Sequence, residues 1–290
     1  PETMGRLSGY GWALGYFGGL LSLVLCLVYV THAEEQGLSA AEYVPVTNLI
    51  VAVLFGLAAL PTLLWLRERV QVTAAFDSAK TIRAGFQRLG ATWRQARQHI
   101  DLFRFLLSLT TYYAGIYIVI VLAAVYAQEV MGFQTKDTII LIMVVNVTAA
   151  AGAFLFGHLQ DRIGSKRCIA ITLLIWIAAI VCAYFATDEW LFWVAANLIG
   201  TALGGAQSAG RALVGQFTPE GRQGEFFGLW GLATKLSAII GPLTYGGMVY
   251  VFAGDHRTAL LSTLAFFVAG LLMLMAVDEK RGREMAKVRY

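Results

Sequence analysis

The sequence predicts an all-α, polytopic membrane protein, and three observations carry that expectation. Of its 290 residues, 58% are hydrophobic and only 14% charged, whereas ordinary soluble domains carry about 25% charged residues. Eight apolar stretches reach or approach the ~20 residues that a helix needs to cross ~30 Å of hydrocarbon. Basic residues gather on alternate connections between those stretches, the asymmetry that orients membrane helices.

The stretches fall at 9–30, 44–66, 102–127, 138–159, 168–186, 190–213, 226–252 and 258–277. Helices buried in a soluble core would show polar faces at 3.6-residue spacing, and residues 138–151 and 260–277 show almost none. In the first stretch Gly11, Gly15 and Gly19 recur every fourth residue, as do Ala149, Ala153 and Gly157 in the fourth. Small faces let helices approach closely in lipid, so these two are candidates to pair, though spacing alone leaves other neighbours open. Gly200 and Gly204 repeat the pattern in the sixth stretch, and Pro61 and Gly241-Pro242 mark expected bends. Between the second and third stretches lies the one long polar segment, Arg67 to Asp101. Within it Ile82, Phe86, Leu89, Trp93, Ala96 and Ile100 recur at steps of three and four, predicting an amphipathic helix in the membrane interface. The expected organisation is therefore 1–66 (two spans), 67–101 (linker), 102–278 (six spans) and 279–290 (basic tail).

Basic residues cluster at Arg6, in the linker, at Arg162, Lys166 and Arg167, at Arg211 and Arg222, and along the tail. The opposite side holds Lys136 and Arg257, with the acidic loop of Glu34, Glu35 and Glu42. This predicts cytoplasmic termini and a plasma membrane location, the inner membrane in a bacterium. The net charge of +4 reports orientation and attraction to anionic lipid, not nucleic acid. Cys26, Cys168 and Cys182 are unpaired in spacing, and the four histidines are scattered, so neither a disulfide framework nor a metal or cofactor site is expected. No segment resembles a nucleotide-binding loop, which argues against a primary pump, and no His/Asp/Ser cluster falls inside a span, which argues against an intramembrane enzyme. The opening residues lack a signal-peptide pattern.

Lys235 is the outlier. It lies about ten residues inside an apolar stretch, roughly 15 Å deep at ~1.5 Å per residue, where a lysine costs ~2.5–3.5 kcal/mol by insertion scales. The nearest acid along the chain, Glu225, is expected near the membrane face. An anion must balance the ammonium: a solute carboxylate, or a carboxylate from outside these residues. A lysine that snorkels to the interface is the plainer alternative.

Between the fourth and fifth spans stands Gly157-His-Leu-Gln-Asp161-Arg162-Ile-Gly164-Ser-Lys166-Arg167. Glycine permits a tight turn, and Asp161 suits the positive N-terminal end of another helix. The segment resembles the signature loop of the major facilitator superfamily, whose members normally have twelve spans in two six-span lobes. Counting from that loop, the eight spans look like the family's fifth to twelfth, and the chain, starting at Pro1, looks N-terminally truncated. Arg211, Pro219, Gly221, Glu225-Phe226-Phe227-Gly228-Leu229, Lys235 and Gly241-Pro242, with the opening Gly9-Tyr-Gly-Trp12-Ala-Leu-Gly-Tyr16-Phe-Gly-Gly19, are similar to the branch of autophagy-associated vacuolar amino-acid effluxers. One departure is visible: many members carry an acid beside the tyrosine of the seventh span, where this chain has Tyr112-Tyr113-Ala114-Gly115.

The resemblance implies a secondary transporter of a small solute, an amino acid or other carboxylate, working by rocking of two lobes about a midplane site. Protons are a candidate coupling ion, although no buried carboxylate marks a carrier. Membrane lipids are the other expected partner. Lys235, Tyr112, Tyr113, Asn146, Asn197 and Gln207 are the candidate substrate contacts. Gly157, Asp161, Arg162 and Gly164 are candidate gating residues, with Arg211 and Glu225 as a second gate or ion pair. A non-transporting sensor or lipid-handling protein of the same fold is the alternative.

Overall fold

The computed structural model describes residues 3–66 and 99–287. Among these, every regular element is an α-helix: α1 (Met4–Glu35), α2 (Ala40–Trp65), α3 (Ile100–Glu129), α4 (Thr135–Ile163), α5 (Ser165–Phe185), α6 (Glu189–Phe217), α7 (Gln223–Val251), α8 (His256–Leu261), α9 (Thr263–Met275) and α10 (Glu279–Lys287). The chain is an all-α polytopic membrane protein. The amphipathic helix expected in the 67–101 segment lies, apart from its last residues, outside the described residues.

Two compact units are present, one formed by Pro1–Tyr16 with Leu89–Tyr290, the other by Phe17–Arg88. In the larger unit α6 is the hub: α4 and α5 pack along it, while α3 packs on α7 and α9, and α9 also meets α5. The α4–α6 contact is built from small residues. A Cβ at Gly200 would run into Thr148, at Gly204 into the Ala149 carbonyl, and at Gly152 into Thr201. Backbones come together here because lipid offers no hydrophobic drive between helices, so dispersion at close range must hold them. Away from that seam the core is aromatic, with Trp176 stacked on Phe267 at 5.0 Å between centroids.

Among the described residues six of these helices, together with α8 and α9 taken as one span (His256–Met275), are long and apolar enough to cross a membrane. The eighth expected span, 190–213, forms α6, which is just as long but carries Asn197, Thr201, Gln207, Ser208 and several glycines, and hides sixteen residues in the core. Its neighbours, rather than lipid, meet most of its surface. The stretch 258–277 departs from expectation in another way, because it is divided at Ser262 into α8 and α9. At Gly241-Pro242, by contrast, α7 is continuous.

Local signals explain the boundaries. Asp188 accepts the Leu191 N–H at 2.8 Å to start α6, and Asp255 accepts the Arg257 and Thr258 N–H groups to start α8. A single residue, Gly164 at φ +90°, turns α4 into α5, a conformation that a side chain would strain. In the smaller unit, α2 has no buried residue, and Leu49, Val53, Phe55 and Leu63 are exposed. For a membrane helix such a surface is matched to hydrocarbon.

Candidate functional site

The end of the larger unit that holds the α4–α5 turn is rich in arginine and lysine, and it will be called the basic end. There the Asp161 carboxylate, in the last turn of α4, accepts from Gly5 N at 2.9 Å, Arg6 N at 3.2 Å and Arg6 Nε at 3.0 Å. Those amides belong to the first turn of α1, where N–H groups lack helical partners and the helix dipole favours an anion. Glycine makes the approach possible: a Cβ on Gly157 would stand 2.9 Å from the Gly5 carbonyl and 3.0 Å from Gly9 Cα. One turn further along, Ser8 Oγ donates to the Ser208 carbonyl at 2.8 Å. The first turns of α1 are thus clamped on α4 and α6.

The pairing of α1 with α4 follows the expected partner but not the expected face. Gly5 and Gly9 make the contact, whereas Gly15 has open space where a Cβ would go and Gly11 meets only the Arg211 guanidinium at 3.9 Å. The helix begins at Met4, earlier than its apolar stretch, and the polar Arg6 and Ser8 hid that turn.

A second acid repeats the device. Glu279 accepts from Ser165 N at 3.0 Å and Lys166 N at 2.9 Å, capping α5, and also pairs with Arg283. Lys166 Nζ donates to the Met275 and Val277 carbonyls at 2.8 and 2.7 Å. Arg281 grips Asp101 through Nε at 2.6 Å and Nη2 at 2.7 Å, while Asp278 N donates to the same carboxylate at 2.9 Å. The hydrogen bond and charge of Asp101 raise the Arg281 guanidinium above its usual pKa. Sequence reasoning missed Glu279, Asp101 and Arg281; the signal available was an acid placed immediately beside a span end.

Toward the middle of the bundle lies a cavity of about 310 Å³, at the lower end of the ~300–1,000 Å³ usual for small-molecule sites. Its walls are mostly aliphatic, with polar atoms from Trp12, Tyr16, Tyr126, Asn146, Gln207 and Tyr245. Tyr16 OH donates to Gln207 Oε1, so the Gln207 amide nitrogen is left to donate. Asn146 Nδ2 donates to the Ile142 carbonyl at 2.8 Å, leaving its oxygen to accept. Trp12 Nε1 is buried without a partner among the described residues. Tyr245 OH sits 3.0 Å from His256 Nδ1. Among the described residues no charged side chain lines the cavity, so these residues offer a solute shape and hydrogen bonds but no ion pair.

Of the candidate substrate contacts, the structure brings Asn146 and Gln207 to this cavity and leaves four elsewhere. Tyr112 and Tyr113 are in the core, 0% and 3% exposed, with hydroxyls that lack partners among the described residues; Tyr112 is packed beneath Gly270. Asn197 donates to the Trp193 carbonyl and lies on a shallow groove with Trp190 and Thr201. Lys235 is exposed on α7, opposite the buried stripe of Ala233, Thr234, Ser237 and Gly241. It stands twelve residues into the helix, about 18 Å from its start, and makes no hydrogen bond or ion pair among the described residues. Arg162 is exposed beside Asp161, and Gly164 closes on Glu279. Arg211 and Glu225 are exposed, and Arg211 forms no ion pair with any described residue, so the expected pair between them is not made. Trp12, Tyr16, Tyr126 and Tyr245 were not singled out as cavity residues, because nothing in an aromatic residue's spacing separates a cavity wall from a lipid-facing one.

Six closely packed spans, with the Asp161 loop clamped on a further helix end, define a lobe of the major facilitator type. Solved structures agree on that fold. The human organic anion transporter MFSD10 (TETRAN) superposes with a TM-score of 0.54 at 16% identity, over 60% of this chain and 40% of that one. A bacterial homologue of the human lysosomal transporter Spinster, inward-facing and unoccupied, gives 0.52 at 17% identity over 97% and 68%. The chain belongs to the family described as vacuole effluxer Atg22-like, whose profile matches residues 2–287. Among curated relatives, the uncharacterized MFS-type transporter YxiO of Bacillus subtilis is 27% identical over 99% of this chain and 67% of its own length. Autophagy-related protein 22 of Yarrowia lipolytica is 27% identical over 97% and 52%. The chain thus spans about two thirds of the bacterial relative and half of the fungal one.

Proposed function

We propose that this chain is part of a secondary transporter that moves a small solute across the membrane by alternating access, with the basic end facing the cytoplasm. The observation that carries the reading is the 310 Å³ cavity, walled jointly by α1, through Trp12 and Tyr16, and by helices of the six-span lobe. Below it, toward the basic end, α1 is clamped to α4 and α6 through Asp161 and Ser8. Opening that clamp gives a solute a route to one side while the opposite mouth closes. Asn146, Gln207 and Trp12 offer it hydrogen bonds. Lys235, exposed on α7 and outside the lining of this cavity, is the proposed contact for the carboxylate of an amino acid or other anionic solute on its way to or from the cavity.

Transport of radiolabelled amino acids and small carboxylates into proteoliposomes tests this reading, with a pH gradient as the arm for proton coupling. Lys235→Met is expected to slow uptake of a carboxylate solute about tenfold, the equivalent of ~1.4 kcal/mol. Unchanged rate and affinity would remove Lys235 from the site. Absence of any solute flux would favour a non-transporting sensor or lipid-handling protein instead.

A further inference from the structure

We propose that the basic end carries a binding site for the phosphate of an anionic phospholipid headgroup, in the cleft between the α4–α5 turn and the α9–α10 turn. The cleft encloses about 1000 Å³. Three features of its construction point to that ligand.

The first is rigidity. Lys166 reaches across to the Met275 and Val277 carbonyls, and Glu279 reaches back to the amides of Ser165 and Lys166. The two turns are therefore held at fixed separation, and a ligand entering between them pays little reorganisation.

The second is unbalanced charge. Each acid on the walls is already engaged: Asp161 by Gly5 and Arg6, Asp278 by the amides of Lys280 and Arg281, and Glu279 by α5 and Arg283. Arg281 and Arg283 are matched by Asp101 and Glu279, but the other five wall cations have no carboxylate hydrogen-bonded to them among the described residues. Arg104 and Lys166 donate only to neutral carbonyls, and Arg162, Arg167 and Lys280 are exposed, their side chains making no hydrogen bond or ion pair among the described residues. Guanidinium and ammonium groups converging on one cleft suit phosphate oxygens, which arginine can meet through two parallel hydrogen bonds.

The third is an apolar lining. Ile163, Ala170, Met275 and Val277 also line the cleft, an apolar part beside the charged one. A free phosphate ion uses none of that apolar surface, whereas the glycerol and first methylenes of a lipid cover it.

The test follows the melting temperature of the purified intact protein in detergent during titration with dioleoylphosphatidylglycerol, dioleoylphosphatidylcholine or glycerol 3-phosphate. A ligand that binds the folded state raises the apparent melting temperature. Phosphatidylglycerol is expected to stabilise at low mole fraction, phosphatidylcholine and glycerol 3-phosphate far less. In R162Q/R167Q/K280Q the half-saturating mole fraction should rise at least about tenfold, because each basic residue near an anionic surface adds to the attraction. Lys136→Gln, at the opposite end of α4, should leave it unchanged. If the triple variant melts lower without lipid, the single variants R162Q and K280Q carry the test, each expected to weaken the lipid response a fewfold. Equal stabilisation by phosphatidylcholine, an unaltered response in the variants, or full stabilisation by glycerol 3-phosphate would each overturn the proposal, the last by showing that the cleft takes the free phosphate ester.

Discussion

His99, at the start of α3, is buried and faces Phe226 edge-on at 5.7 Å. Burial, and then the positive charge of Arg222, push its imidazole below the usual value near 6.5. The folded protein therefore favours neutral His99, while the unfolded chain takes up a proton near pH 6.5. That difference contributes stability fully present above about 6.5 and lost as pH falls through the depressed folded value. Thermal melts in detergent at pH 8, 6.5 and 5.5 should show wild type losing stability below 6.5 faster than His99→Gln. Parallel slopes would mean that His99 titrates alike in both states. Lys235 poses the opposite problem at the same scale. Its charge and its place inside an apolar run were legible in the sequence, but its neighbours were not, because facing residues come from packing rather than from chain order. The same gap explains Tyr112 and Tyr113: polar tips at intermediate depth suggested a cavity wall, and the fold buries both under glycine.

Helices were the most legible level, since ~20-residue apolar runs admit little else in a membrane. Interfaces were less so. Four-residue spacing of small residues located the α6 seam at Gly200 and Gly204 correctly, because a Cβ there has no room. The same pattern at Gly11 and Gly15 did not mark the contact face, since small residues occupy more than one face of α1 and spacing cannot tell which face is covered. A paired substitution separates the two meanings of glycine. Gly204→Ala should destabilise by about 1–3 kcal/mol through overpacking, because the new methyl meets the Ala149 carbonyl and Ala153 N. Gly246→Ala in α7, where nothing stands within 4 Å, should stabilise by roughly 0.5–1 kcal/mol from helix propensity. Melting temperatures of both variants check this, and a Gly204→Ala protein as stable as wild type would show that the seam can open without penalty. α10 was read only as a basic tail; its role in capping α5 and bridging to Asp101 depends on contacts distant in sequence, which no local pattern announces.

For the whole molecule, the consequential contact is the one between the first turn of α1 and the α4 terminus. Asp161 is 11% exposed and its partner Arg6 46%, so the pair is partly screened and the two backbone amides supply much of the hold. Asparagine at 161 keeps the shape but removes the charge, converting charge-assisted bonds into neutral ones. Hydrogen bonds to charged groups contribute ~1.5–3 kcal/mol against ~0.5–1.5 for neutral ones, so Asp161→Asn should weaken the closed basic end by about 1–1.5 kcal/mol. In a two-state equilibrium that shift multiplies the open population roughly five- to tenfold. Ser208, fully buried beneath Ser8, reports the opening. With Cys26, Cys168 and Cys182 replaced and Ser208→Cys introduced, a membrane-impermeant maleimide applied from the basic side should label the Asp161→Asn protein about five to ten times faster than the parent. Applied from the opposite side, it should label the two more nearly alike. Equal rates from the basic side would mean that Asp161 braces the lobe in every state and takes no part in the gate.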